Sequence, residues 1–160
     1  MYKEYLKIKP NKVGKGVYAT VQISANVPIL EFRGPLLATE AVTEPDKSLQ
    51  VGPFHYLGPS GEVDDYINHS CKPNCYVHAT GKRAVLYSLY LIQPGSELTF
   101  DYATTSTDTL DTWQMSCKCG EQNCRKVISG HQYIDLDTWQ SNKNKGTLPT
   151  YITNPELFKR

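Results

Sequence analysis

"CKCGEQNCR", residues 117–125, decides how this chain is read, because it places Cys117, Cys119 and Cys124 together on one polar loop. Thiols at this density are ligands for a metal, and zinc closes its structural sites with four ligands. The loop therefore lacks a ligand. The remaining cysteines, Cys71 and Cys75, both lie in "YINHSCKPNCYV" at 66–77. Cys71 sits in the turn-rich run Ser70-Cys71-Lys72-Pro73-Asn74, whereas Cys75 opens the next strand-like segment. A clip tying a C-terminal loop back to a distant loop favours the loop-borne residue, Cys71. Unrelated free thiols are the competing description, but C-x-C-x4-C on a polar loop is uncommon without a metal.

The rest of the chain bounds the class. Its 160 residues, 39% of them apolar, suit one domain with a real core. A net charge of +1 gives no whole-chain electrostatic signal for nucleic acid or an anionic membrane. The N-terminal "MYKEYLKIKPNKVGKG" is basic but lacks the apolar run of a signal peptide. No stretch approaches the roughly 20 apolar residues that span a bilayer. An intracellular protein, cytoplasmic or nuclear, is expected. An odd cysteine count, five, argues against a complete disulfide framework and for a reducing compartment.

"GVYATV" (16–21), "PILEFRG" (28–34), "NCYVHAT" (74–80), "RAVLYSLYLI" (83–92) and "ELTFDY" (97–102) are rich in β-branched and aromatic residues and bounded by turn signals such as Pro94-Gly95. They predict a mostly β domain of small sheets. Helices are expected only around 104–114 and 131–141. Residues 131–160 are more polar and read as a tail that either wraps the domain or frays.

"NHSCKPN" (68–74), "ELTFDY" (97–102) and "CKCGEQNCR" (117–125), in that order, resemble the SET-domain protein lysine methyltransferases with a post-SET zinc module. "GKGVYA" (14–19) is similar to that family's N-terminal cofactor loop. The resemblance implies a β-clip-like SET arrangement of small sheets with a knot-like threaded active site. It divides the chain into a SET domain (1–103), a post-SET zinc module (104–130) and a tail (131–160). It also implies that Cys71 joins Cys117, Cys119 and Cys124 on one structural zinc.

The implied reaction moves a methyl group from S-adenosylmethionine (SAM) to the side-chain amine of a lysine in a protein, a histone being one candidate. Such a displacement needs donor and amine aligned, the lysine deprotonated against an ordinary pKa near 10.4, and dipoles suited to charge moving from sulfur to nitrogen. Tyr102, last in "ELTFDY", matches the family's essential tyrosine, although a tyrosine in a β domain is ordinarily a core ring. Phe100, two residues earlier, would share its side of a strand. It matches a channel position whose Phe form favours di- or trimethylation; plain core packing is the alternative. Asn68, His69, Gly14, Lys15 and Gly16 match cofactor contacts, and Tyr102 adjoins the cofactor as well. The resemblance implies that 68 and 102 meet in space. Cys75 is left as a small buried residue.

Three departures concern substrate recognition. Asp65-Tyr66 stands where the family often has Arg-Phe, the segment before Asn68 is short, with His55 and Tyr56 in it unassigned, and no cysteine-rich segment stands ahead of the domain, so no pre-SET zinc cluster is expected. "GEVDD" (61–65) is either a greeting for a basic peptide or a solvated turn. Two rival classes remain: a catalytically silent SET-fold module binding zinc and peptide, and a structural zinc ribbon. Tyr102, Asn68 and Gly16 count against the first. The second leaves "NHSCKPN" and "ELTFDY" unexplained.

Overall fold

Short apolar runs broken by turn residues can build only short strands, and the computed structural model, which describes residues 1–107 and 113–158, has strands of two to six residues. β1 (Leu6–Asn11) and β2 (Gly14–Ala19) form an antiparallel hairpin in the register Leu6↔Ala19 to Asn11↔Gly14. Its turn is set locally: the Asn11 side chain accepts the Val13 N–H at 3.0 Å, and Gly14 takes a φ of 124° that few other residues tolerate.

β3 (Pro28–Glu31) opens the second sheet, and β4 (Leu36–Ala38), β5 (Leu49–Gly52) and β6 (His55–Leu57) make the third, in the order β4-β6-β5. β7 (Asn68–His69) is followed by β8 (Cys75–Ala79) and β9 (Ala84–Ser88), which complete the order β3-β9-β8. The β8–β9 hairpin, expected as two strands from its β-branched and aromatic residues, shows a burial period of two. Val77, Ala79, Ala84 and Leu86 point into the core, while Tyr76 and Tyr87 stack outside it at 5.4 Å between ring centres.

β10 (Thr99–Phe100) pairs with β7 in parallel, Thr99↔Asn68 and Phe100↔His69. Just before β10, the chain runs along β2: Leu98 N–H donates to the Val17 carbonyl at 2.8 Å, and Ala19 N–H to that of Ser96 at 3.0 Å. Residues 96–100 are thus held by the hairpin at one end and by β7 at the other. β11 (Met115–Ser116) and β12 (Val127–Ile128) close an antiparallel pair around the cysteine loop. One core underlies all of this, with Val17, Ile29, Leu30, Val77, Leu86 and Leu98 almost wholly excluded from solvent.

The helices differ from expectation. Of the segment 104–114, residues 108–112 lie outside the described residues. At its start stands a 3-10 turn, Tyr102–Thr104, in which the Asp101 side chain caps the Ala103 N–H at 3.1 Å. The helix expected at 131–141 is displaced. A 3-10 turn at His131–Tyr133 precedes α1 (Leu136–Asn144), which starts where Asp135 accepts the Thr138 N–H at 2.9 Å.

The tail wraps rather than frays. α2 (Thr150–Thr153) buries Tyr151 and Ile152 against the core, and the Tyr151 hydroxyl reaches the carbonyls of Thr105 at 2.7 Å and Gln50 at 3.1 Å. None of the described helices is long and apolar enough to cross a membrane.

Candidate active site

The four thiols of Cys71, Cys117, Cys119 and Cys124 converge, their sulfurs all within 4.8 Å of one another. A tetrahedral zinc with Zn–S bonds near 2.3 Å sets its ligand sulfurs about 3.8 Å apart. Cys71 Sγ and Cys117 Sγ stand 3.7 Å apart, so the donor set and its spacing fit that ion. Backbone N–H groups of Arg125 and Lys126 point at Cys71 Sγ and Cys124 Sγ, each at 3.4 Å, as suits thiolates. Cys75 stands outside the group. It is buried at the start of β8 and donates to Asn74 Oδ1 at 3.3 Å, and burial pushes its thiol up to about 12. It stays a thiol at any physiological pH.

The cysteine loop is tied to the "ELTFDY" segment by an ion pair invisible in the spacing of the sequence. Arg125 grips Asp101 with both arms of its guanidinium, Nη1 to Oδ2 at 2.8 Å and Nη2 to Oδ1 at 2.5 Å. Asp101 is buried, so the pairing removes what would otherwise be a costly lone charge. Both residues lie inside quoted motifs, Asp101 one place before Tyr102 and Arg125 one place after Cys124.

His69 bridges the same two regions. Burial first, and Arg125 second, hold its pKa down near 4 against the opposing pull of Asp101. It is neutral, so the 3.5 Å approach of Nδ1 to Asp101 is no ion pair. Tyr102 N–H donates to Nδ1 at 3.2 Å, which leaves the ring proton on Nε2, 3.3 Å from Cys71 Sγ.

Tyr102 and Asn68 are brought together across 34 positions of sequence by the parallel β7–β10 pair. The Tyr102 hydroxyl donates to the Ile67 carbonyl at 2.7 Å, and its ring packs 4.8 Å from Phe100 and 5.4 Å from His69. Burial, then the charge of Glu97, raises its pKa above the ordinary tyrosine range, so the phenol keeps its proton. Phe100 is buried with its ring edge toward Phe32 at 5.9 Å.

Two cavities meet at this tyrosine. A narrow one of about 90 Å³ is lined by Phe32, Leu49, Tyr56, Leu57, Ile67 and Phe100 at its apolar walls, with Trp113 and the carboxylates of Asp46, Asp64 and Asp65 beside them. A wider one of about 450 Å³ is lined by Asn11, Lys12, Val13, Asn68, His69, Glu97, Met115 and Ile128, among others. Tyr102 is the residue common to both linings. Tyr56, without a role on sequence grounds, faces the narrow cavity.

"GEVDD" is a structured turn at the narrow cavity's edge. Asp65 accepts the N–H groups of Ser60 and Gly61 at 2.9 and 2.7 Å, and Asp64 accepts that of Arg33 at 2.8 Å.

The hairpin reaches the wide cavity through Asn11, Lys12 and Val13, just ahead of Gly14, Lys15 and Gly16. The latter three are not part of its lining. The Lys15 carbonyl accepts the Asn68 amide at 2.8 Å. Gly16 makes room for Glu97: a Cβ there would lie 2.1 Å from Glu97 Oε1, so the carboxylate would have to shift. Glu97 was missed as a site residue although it opens "ELTFDY". Its carboxylate accepts from Asn11 and Asn68 at 2.8 Å each and from the Tyr18 hydroxyl at 3.2 Å.

Comparison with known proteins places this geometry. Trithorax of Drosophila virilis, a histone-lysine N-methyltransferase, is 30% identical over 145 residues, covering 80% of this chain and 4% of that protein. The H3 lysine-36 specific histone-lysine N-methyltransferase of Coccidioides immitis is 31% identical over 161 residues, 85% of this chain and 15% of that protein. The chain therefore spans a small part of these relatives.

Among solved structures, KRYPTONITE in complex with mCHG DNA and SAH aligns with a TM-score of 0.65 at 31% identity, over 78% of this chain and 29% of that one. KRYPTONITE with mCHH DNA, an H3(1-15) peptide and SAH aligns at 0.64 and 28% identity, over the same shares. The SET domain family model matches residues 14–103, the span from the glycine hairpin through Tyr102, and the chain belongs to the SET-domain family.

Proposed function

We propose that this domain transfers methyl groups from SAM to the side-chain amine of lysine in a protein, with the histone H3 tail as first candidate, and that one zinc is held by Cys71, Cys117, Cys119 and Cys124. In this division residues 1–103 carry the site, 104–130 the zinc module and 131–160 a tail packed over both. The observation that carries the reading is Tyr102 standing on the walls of both cavities. The wide cavity suits a nucleoside with an amino-acid arm, and the narrow one suits the methylene arm of a lysine. Relatives named as histone-lysine methyltransferases, and neighbours solved with SAH and an H3 peptide, support the same pairing.

Bound SAM supplies a methyl group activated on a positively charged sulfur. The chain supplies the rest. Phe32, Leu57 and Phe100 wrap the lysine arm in apolar surface, and that desolvation lowers the amine's pKa and favours the neutral nucleophile. Tyr102 spends its proton on the Ile67 carbonyl, which fixes the phenol and leaves its oxygen as an acceptor for the amine. The Asp101–Arg125 pair and the neutral His69 hold the backbone of Tyr102 against the cysteine loop. Alignment of this kind replaces a bimolecular encounter by an oriented one. Met115 and Ile128, on the strands flanking the cysteines, wall the wide cavity, so metal loss is expected to weaken cofactor binding as well as stability.

Incubation with labelled SAM, histone H3 and cell-extract proteins tests the reading. Label is expected on lysine, and Tyr102→Phe should reduce its rate of appearance about a hundredfold, as losing one preorganised polar group at a reacting centre does. An unlabelled protein set in the presence of bound SAM, or full activity in the variant, would overturn it.

A further inference from the structure

The Glu97 carboxylate is a negative charge on the wall of the wide cavity that the mechanism above does not use. Its hydrogen-bond partners, Asn11, Asn68 and Tyr18, are all neutral. Among the described residues no lysine, arginine or histidine nitrogen comes within ion-pair distance of it. Lys12 Nζ donates to the Cys119 carbonyl at 2.8 Å, Lys9 Nζ lies over the Tyr18 ring, and Lys72 and Lys118, which also line the cavity, make no ion pair with Glu97. The fold also clears a place for this group, because Gly16 is the residue whose lack of a Cβ lets Oε1 approach the hairpin.

The position is close to the chemistry. Asn68 holds Glu97, while its two neighbours hold Tyr102, Ile67 by its carbonyl and His69 by Nδ1. Glu97 and Tyr102 are thus fixed on three consecutive residues, and the charge of Glu97 is felt at the Tyr102 phenol. A carboxylate beside a cavity, hydrogen-bonded but not neutralised, is a site for a cation.

We propose that Glu97 is the counter-charge for the cationic part of SAM, and that it sets the enzyme's preference for the charged cofactor over the neutral thioether product, SAH. The inference rests on the methyltransferase reading and adds a specificity residue to it. After transfer the positive charge has left the sulfur, so the attraction lapses and product release is favoured.

Calorimetric titration of the zinc-loaded chain with SAM and with SAH tests this. Glu97→Gln keeps the shape and can preserve all three hydrogen bonds, with Tyr18 turning from donor to acceptor. It is expected to weaken SAM about tenfold more than SAH, the scale of one charge–charge term in a partly wet site. Glu97→Asp, which keeps the charge, should retain the preference. Equal weakening of both ligands, or of neither, would make Glu97 a scaffold and overturn the proposal while leaving the methyltransferase reading intact. A wild-type chain that binds neither ligand would overturn both. Should Glu97→Gln fail to fold, the unchanged protein decides: an analogue carrying a charged amine in place of the sulfonium should bind more tightly than SAH, and weaker binding refutes the inference.

Discussion

Arg125→Ala is the substitution whose cost the structure determines best. It removes both guanidinium arms from Asp101, whose side chain is only 5% exposed, while that of Arg125 is 21% exposed. Breaking a buried pair by deleting one partner costs about 3–5 kcal/mol. The Ala103 N–H remains on Asp101, and Arg125 is partly wet, so a lower figure of about 2–4 kcal/mol is expected here. For a chain of this size that is a fall in Tm on the order of 5–15 °C. Arg125→Lys keeps the charge but loses the two-armed geometry, and should fall between the variant and wild type. Thermal unfolding at fixed zinc concentration, with metal content measured alongside, is the assay. A drop of less than about 0.5 kcal/mol in Arg125→Ala would refute the claim that this pair couples the cysteine loop to the Tyr102 segment.

Metal analysis should find one zinc per chain; Cys71→Ser should abolish it and Cys75→Ser should not, because Cys75 lies outside the cluster as a buried thiol donor that serine can replace. Equal effects of the two would contradict the ligand assignment. Gly16→Ala should cost about 1 kcal/mol in chemical denaturation and weaken cofactor binding, since its Cβ would push aside Glu97 Oε1 and Asn11 Nδ2 and break the hydrogen bond between them. An unchanged midpoint would show the approach to be looser than described. Tyr151→Phe removes a hydroxyl that reaches the Thr105 and Gln50 carbonyls, and about 1 kcal/mol of stability should go with it. No loss would mean that the tail does not dock in this manner.

Much of the fold was legible because local chemistry and tertiary context agree. The β-branched and aromatic runs at 74–80 and 83–92, bounded by turn residues, mark the β8–β9 hairpin, and the turn-borne setting of Cys71 separates it from Cys75. Other features leave no local trace. β7 and β10 are two residues long, too short for a pattern, and their parallel pairing depends on the hairpin that holds residues 96–98. The Asp101–Arg125 pair and the Glu97 hub join residues with no periodic relation, so only their membership in the quoted motifs hinted at them.

The tail was undecided for a different reason. α1 buries none of its residues, and the docking comes from Leu148, Tyr151 and Ile152 in a segment whose average is polar. At the hairpin, the glycines drew attention to 14–16. The cavity wall, however, is formed by Asn11, Lys12 and Val13, and Gly16 serves by making room for Glu97.

The most direct test of the central claim, that Tyr102 divides a donor site from an acceptor site, is a crystal structure of the zinc-loaded chain with SAH and a lysine-bearing H3 peptide. SAH is expected in the wide cavity beside Asn68 and Glu97, the lysine arm in the narrow cavity against Phe100, and the Tyr102 hydroxyl between the sulfur and the amine. Both ligands on one side of Tyr102, or a lysine that never enters the narrow cavity, would contradict the account.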